Sequence, residues 1–232
     1  MTIITLVRHG QASFGESNYD KLTELGLKQG QIVGEALKER NLDPHETAIY
    51  YGSQLRHKET MEEALKVWSY DGNMKILEGV REFDHEDIIF KGHPNFASKA
   101  LLGAKLLASK DKKKTLEELF FEALKRWFSG QYDHEYQESW SDFEKRCWGA
   151  VKNVALKKEK KEIVIFTSGG VIGAIVKFLM NVGQDKVLDI LWKQVNGGLT
   201  KILFQDINNV FLLSWNEQHH ILKKGKNFIT YK

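Results

Sequence analysis

Six short runs rich in β-branched and aromatic residues recur along the chain, with helical patterns between most of them. They lie at Ile3 to Val7, Ala48 to Tyr51, Lys75 to Leu77, Ile163 to Thr167, Lys201 to Phe204 and Val210 to Trp215. This alternation constrains the fold more than any other feature, because strands joined by helices run parallel and bury one sheet on both faces. Residues 23 to 40 set Ile32, Val33, Ala36 and Leu37 on one stripe behind Thr23, a suitable N-cap. Residues 54 to 68 repeat the pattern with Met61, Ala64, Leu65 and Trp68. Only Gln205 to Asn209 separate the last two runs, too few residues for a parallel crossover, so that pair is expected as an antiparallel hairpin at one edge. The expected fold class is α/β: a three-layer α/β/α sandwich with a mostly parallel central sheet, one antiparallel edge strand and a helical insertion.

The insertion is expected at about residues 79–160, where no convincing strand stands between Leu77 and Ile163, within a single domain spanning residues 1–232. Thr115-Leu116-Glu117-Glu118 reads as a capping box that opens a helix with Leu119, Phe120, Ala123, Leu124 and Trp127 at helical spacing. Ser141-Asp142-Phe143-Glu144 reads as a second box, followed by Phe143, Cys147, Ala150, Val151 and Val154. Cys147, the single cysteine, is expected as a small buried hydrophobe, and the aromatics around it as core. The Lys-rich stretches 110–114 and 157–161 read as solvated surface.

With 34 Lys and Arg against 31 Asp and Glu, the net charge of +3 is too small for a nucleic-acid footprint. No window reaches the roughly 18 apolar residues of a membrane span, and Met1 to Gly10 carries no basic leader or small-residue cleavage site. The expectation is a cytoplasmic protein that binds neither nucleic acid nor membrane. The sequence carries no coiled-coil pattern or other signature of oligomeric state.

The first run ends in Arg8-His9-Gly10, which brings an arginine and a histidine to the carboxyl end of a strand, where open α/β sheets bind ligands. A neutral imidazole nitrogen can attack a phosphoryl group while a guanidinium neutralises its oxygens. After the second run, Ser53 to Thr60 sets Arg56 near a helix start, where it can converge on His9. With these residues the chain resembles the histidine phosphatase superfamily, also called phosphoglycerate mutase-like. That family carries a Leu-Val-Arg-His-Gly opening and a Ser-x-Leu-x-Arg-x-x-x-Thr segment, with counterparts here at Leu6 to Gly10 and Ser53 to Thr60. Leu22-Thr23-Glu24-Leu25-Gly26 corresponds to its leucine, threonine and glycine after the first motif.

The resemblance implies a cofactor-free and metal-independent phosphatase acting on a small phosphorylated substrate. His9 would take the phosphoryl group, Glu82 would protonate the leaving oxygen, with Glu86 as second choice, and water would release phosphate. Arg8, Arg56, Ser168 and Gly169 would bind the phosphoryl group. Asp84-His85-Glu86-Asp87 with His93, and Tyr132 to Glu135, read as solvated acidic turns in preference to a metal cluster, since no helical ligand motif frames them. The chain departs from the family at Ser168, which stands where a second catalytic histidine is expected in Thr167-Ser168-Gly169-Gly170. A hydroxyl donates a hydrogen bond but brings no positive charge, so catalytic efficiency is in question at this position. Thr167, His57 and His220 are the available replacements.

Ser168 also motivates an alternative, a phospho-ligand-binding regulatory protein with little turnover. A phosphoglycerate-type mutase is a third reading, against which stands Gly10 to Tyr19, since it lacks the mutases' Glu-Ser-x-Trp-Asn run. Substrate choice is expected to rest with the insertion. Ser13, Phe14, Tyr19, His93 and Phe96 are the candidate lining groups.

Overall fold

Thr2–Arg8 forms β1, whose alternating side chains are buried on both faces of the sheet, as a central strand requires. The computed structural model describes residues 1–13, 20–94 and 98–231. These fall into two compact units, residues 1–82 with 146–232 and Phe83–Lys145.

The first unit contains a six-stranded sheet built from β1, β2 (Thr47–Tyr51), β3 (Met74–Ile76), β4 (Glu162–Thr167), β5 (Leu199–Asp206) and β6 (Asn209–Glu217), in the order β3-β2-β4-β1-β5-β6. β1, β2, β3 and β4 are mutually parallel, whereas β5 runs against both β1 and β6. The reversed strand is thus second from the edge, and the hairpin to β6 closes it. The runs seen in the sequence all become strands, extended by one or two residues at several of their ends, while β3 stops at Ile76, one residue short.

Between strands, α1 (Glu24–Glu39) is capped by Thr23, and α2 (Leu55–Trp68) follows β2. Val33, Ala36 and Leu37 of α1 and Met61, Ala64, Leu65 and Trp68 of α2 pack in one cluster with Val7, Ile49, Val164, Phe166 and Leu199 of the sheet. The two helices approach closely at Gly34, where a Cβ would lie 2.3 Å from the Ala64 carbonyl oxygen. α7 (Gly169–Met180) starts straight from the end of β4 and is followed by α8 (Val187–Trp192) and α9 (His219–Leu222).

The second unit holds α3 (His85–Gly92), α4 (Lys99–Ala108), α5 (Lys112–Phe128) and the start of α6 (Trp140–Leu156). No strand lies between β3 and β4 among the described residues. Both predicted helix starts move. α5 begins at Lys112 under an Asp111 cap that accepts from Lys114 N, leaving Thr115 inside the helix. α6 begins at Trp140, and the box is Ser139 with Asp142, two residues early, because Ser139 Oγ accepts from Asp142 N at 3.1 Å and donates to the Asp142 carboxylate at 2.8 Å. In each case an earlier residue offers an equivalent oxygen and lengthens the helix. Cys147 is a buried thiol outside any disulfide.

Candidate active site

Three strand ends meet at the carboxyl edge of the sheet. Arg8 lies opposite Thr167 in the parallel register, His9 N donates to Thr167 O at 2.9 Å, and Gly52 N donates to Phe166 O at 3.0 Å. The backbone leaving β1 is held from several sides. Gly197 N donates to Arg8 O at 3.0 Å, Asn196 Nδ2 donates to His9 O at 3.1 Å, and Gly10 N donates to Thr60 Oγ1 at 3.0 Å. Gly10 is required by space, since a Cβ there would fall 2.3 Å from Gly26 O, and one on Gly26 would fall 2.2 Å from Gln11 O. Thr23 links the same pieces: its amide donates to Gln11 O at 2.9 Å and its hydroxyl accepts from Gly26 N at 3.0 Å. The Leu-Thr-x-x-Gly segment therefore seats the turn that carries His9.

His9 is buried, and its Nδ1 lies 2.7 Å from its neighbour's carbonyl, Gly10 O. A carbonyl only accepts, so Nδ1 carries the hydrogen and Nε2 keeps the lone pair. Burial, then the charges of Arg56, Arg8 and His57, hold the imidazole well below its ordinary proton affinity, and the ring is neutral at pH 7. Arg56, in the first turn of α2, is also buried; its Nη1 bonds Asp20 Oδ1 at 2.6 Å, and Asp20 Oδ2 accepts from Leu55 N at 2.6 Å. The chain has one residue fewer between Leu55 and Arg56 than the family spacing. Arg56 and Thr60 still keep their four-residue interval, and Thr60 Oγ1 donates to Arg56 O at 2.6 Å. Arg8 directs its guanidinium to the carbonyls of Gln194 and Tyr231, the latter at 3.1 Å.

Glu82 meets the β4–α7 turn. One carboxylate oxygen accepts from Gly170 N at 2.9 Å, and its own amide donates to Gln54 Oε1 at 2.8 Å. The positive end of α7 thus faces a carboxylate. Gly169 lies beside Arg8: a Cβ on it would sit 3.3 Å from Arg8 Nε. Ser168 is fully buried, and its Oγ lies 2.5 Å from His57 Nε2. Of the three replacements for the missing histidine, His57 is thus the one at Ser168. Thr167 Oγ1 donates to Val80 O at 2.7 Å, and His220 Nε2 bonds Gly197 O at 2.9 Å.

Glu86 lies in the second unit, in the first turn of α3, where Asp84 caps the helix. His93 bonds Leu119 O at 2.7 Å, Glu135 pairs with Arg126, and Ser13 N donates to Lys21 O at 2.9 Å. Phe14, Tyr19 and Phe96 lie outside the described residues. Among the described residues no group of three or more His, Cys, Asp or Glu is placed to hold a metal ion, and no helix is long and apolar enough to cross a membrane.

Sequence reasoning missed Asn196, Gln29 and Asp20, and had Thr60 only as the last residue of the family segment. Gln29 Oε1 accepts from Gln11 N at 2.7 Å while its Nε2 donates to Phe228 O and Thr230 Oγ1, which ties the C-terminal segment to the His9 turn. The available signal for Asn196 was the Asn-Gly-Gly sequence, whose Gly197 takes a φ of +73° in the turn before β5.

A sheet with this order and a histidine, two arginines and a glutamate around its carboxyl edge defines a phosphoryl-handling class of α/β protein. The chain belongs to the histidine phosphatase superfamily (branch 1), whose family model matches residues 4–99 and 107–218. Solved structures of similar fold include the phosphoserine phosphatase of Entamoeba histolytica in complex with 3-phosphoglyceric acid, at 20% identity and TM-score 0.64, covering 96% of this chain and 100% of that one. The YhfR protein of Bacillus stearothermophilus is similar at 19% identity and TM-score 0.68, covering 95% and 100%. So is a phosphoglycerate mutase of Bacillus anthracis, at 17% identity and TM-score 0.61, covering 96% of each chain. No curated protein matches the chain by sequence.

Proposed function

We propose that the protein is a metal-independent phosphohydrolase that cleaves a phosphomonoester through a phosphohistidine at His9. One observation carries this reading: a buried, neutral imidazole at the end of β1 whose Nδ1 is committed to Gly10 O, leaving Nε2 as the nucleophile. In the first step Nε2 bonds to phosphorus, the ester P–O bond breaks, and the leaving oxygen takes a proton from Glu82. The ring becomes a phosphoimidazolium, and the Nδ1–H bond to Gly10 O strengthens as that charge develops. In the second step water attacks phosphorus, Glu82 takes one of its protons and the N–P bond breaks, returning neutral His9 and inorganic phosphate. Arg8 and Arg56 neutralise the phosphoryl oxygens, and Ser168 with Gly169 adds donors at the start of α7. The similarity to proteins named phosphatases supports the reading at the level of reaction class.

The test is phosphate release from para-nitrophenyl phosphate and a panel of small phosphomonoesters, with EDTA present, in wild type and His9→Ala. The expected result is activity that disappears with His9. Ser168 favours one second reading, a phospho-ligand-binding protein with little turnover. Tight phosphate-ester binding by the wild type without release, and without label on His9 from a radioactive ester, would replace the first reading with that one.

A further inference from the structure

We propose that His57 supplies, through Ser168, the imidazole that the β4–α7 turn lacks, so that the two side chains act as one group beside His9. This deepens the phosphohistidine reading and rests on it. The family's second histidine is a residue of the strand end, whereas here the ring comes from the first turn of α2.

Four observations carry the proposal. His57 Nε2 lies 2.5 Å from Ser168 Oγ, and both residues are fully buried. The ring centroid of His57 is 5.7 Å from that of His9, with the planes inclined by 37°, so the two imidazoles are neighbours. Room for the ring depends on residue 52 being glycine, because a Cβ there would lie 2.4 Å from His57 Nδ1 and 2.9 Å from Cε1. Ser168, for its part, is short enough to leave the ring its place. Burying an imidazole is costly where a hydrocarbon of similar size would pack at no such penalty. A polar pair kept at that cost beside the nucleophile is placed for chemistry.

The role follows from the contact. In the resting site His57 is neutral, held so by burial and by Arg56. A bound phosphoryl dianion favours a proton on the ring. Nε2–H then donates to Ser168 Oγ, and the Ser168 hydroxyl donates to a phosphoryl oxygen. The pair delivers a donor and a positive charge, while no bond to phosphorus is made or broken by it; the proton enters from water on binding and returns on product release. His57 is in these terms a positioning residue that acts through Ser168.

The experiment measures kcat and KM for para-nitrophenyl phosphate in wild type, His57→Ala, Ser168→Ala, the double alanine variant and the exchange variant His57→Ala/Ser168→His. Each single alanine variant is expected to lose about a hundred- to a thousand-fold in kcat with a much smaller change in KM. The double alanine variant should lose no more than the worse single one, as residues acting as a unit do. The exchange variant should regain at least about ten-fold over His57→Ala, a recovery that a merely structural histidine would not give. A folded His57→Ala protein within about three-fold of wild-type kcat, multiplicative losses in the double variant, or no recovery on exchange would each overturn the proposal. Should His57→Ala fail to fold, His57→Gln, which keeps a polar side chain but no ring that can take the charge, decides by the same kcat criterion. Labelling of His9 from a radioactive ester separates this proposal from its foundation. A wild type that turns over without labelling His9 defeats the phosphohistidine reading, whereas label forming at wild-type speed in His57→Ala defeats only the role of His57.

Discussion

The strand ends of the sheet-bearing unit and the core of the helical unit Phe83–Lys145 bury opposite kinds of side chain. At the strand ends of the first, His9, Arg56, His57, Thr60, Ser168 and Asn196 are all buried. In the second, Trp127 packs edge-on against Phe83 and Trp140, Phe128 against Trp140, and Phe83 against Phe143, while Arg126 pairs with Glu135 in a half-buried position. An aromatic core stabilises itself through the area it removes from water. A polar core does not, and persists only where every group is held by hydrogen bonds, as the β1 turn is by Gly197, Asn196, Thr60 and Gln29. On the proposed reading, the sheet-bearing unit is the one that gives up stability for chemistry.

The largest effect expected from breaking this contrast is on Glu82. Glu82→Gln keeps the shape and the bond from Gly170 N but removes the transferable proton. An alkyl phosphate should lose about 10²- to 10⁴-fold in kcat, the usual contribution of a general acid. Para-nitrophenolate needs little help in leaving, so the loss with that ester should be markedly smaller, and steady-state rates on the two esters check it. Equal losses would assign Glu82 a purely structural place at the start of α7.

The same contrast explains what the sequence disclosed. β1 and its turn were legible because residue type and position coincide there: Arg8, His9 and Gly10 stand where a strand must end, and the glycine is forced by Gly26 O. His57 was not, because a histidine in the first turn of a helix has the same local pattern whether it faces water or a serine 111 positions away. The pairing of Arg56 with Asp20 was hidden for the same reason, being a contact across 36 residues. In the helical unit the aromatic stripes were readable by period. The starts of α5 and α6 were not, since Asp111 and Ser139 compete as caps with Thr115 and Ser141 on nearly equal terms.

Next in size is Gly10→Ala. The added methyl meets Gly26 O at 2.3 Å, a backbone atom that no rotamer change can move. Overpacking of this kind costs about 1–3 kcal/mol, and a rigid neighbour argues for the upper part of that range. Urea denaturation should show the loss, and a midpoint unchanged from wild type would mean that the turn has freedom the hydrogen bonds do not suggest.

pH separates the units with a smaller effect. Folding lowers the proton affinity of His9 and His57 from the ordinary value of 6.5, as it does for His220. Below about pH 6.5 the unfolded chain therefore binds more protons than the native one. The stabilisation is complete above that pH and is lost as pH falls through it, by up to about 1.4 kcal/mol per pH unit for each histidine. In the helical unit Glu135 is moved down and Arg126 and Tyr136 are moved up, all three titrating away from this window. Hydrogen exchange at pH 7.5 and 5.5 should show amides of the sheet unit losing protection. Equal loss in α5 would indicate that the two units unfold together.

The smallest expected effect sharpens the comparison from the helical side. Ser139 Oγ accepts from Asp142 N and returns a bond to its carboxylate, so Ser139→Ala removes the cap of α6 and nothing that handles phosphate. An N-cap is worth about 1 kcal/mol. In a chain of this size that is a fall of about 2–4 °C in Tm, with kcat on para-nitrophenyl phosphate unchanged. The result matters because it runs opposite to Glu82→Gln, which should leave Tm nearly in place while kcat collapses. A Ser139→Ala protein that lost activity in step with stability would show that the helical unit takes part in the chemical step, and the division of labour between polar strand ends and aromatic insertion would have to be redrawn.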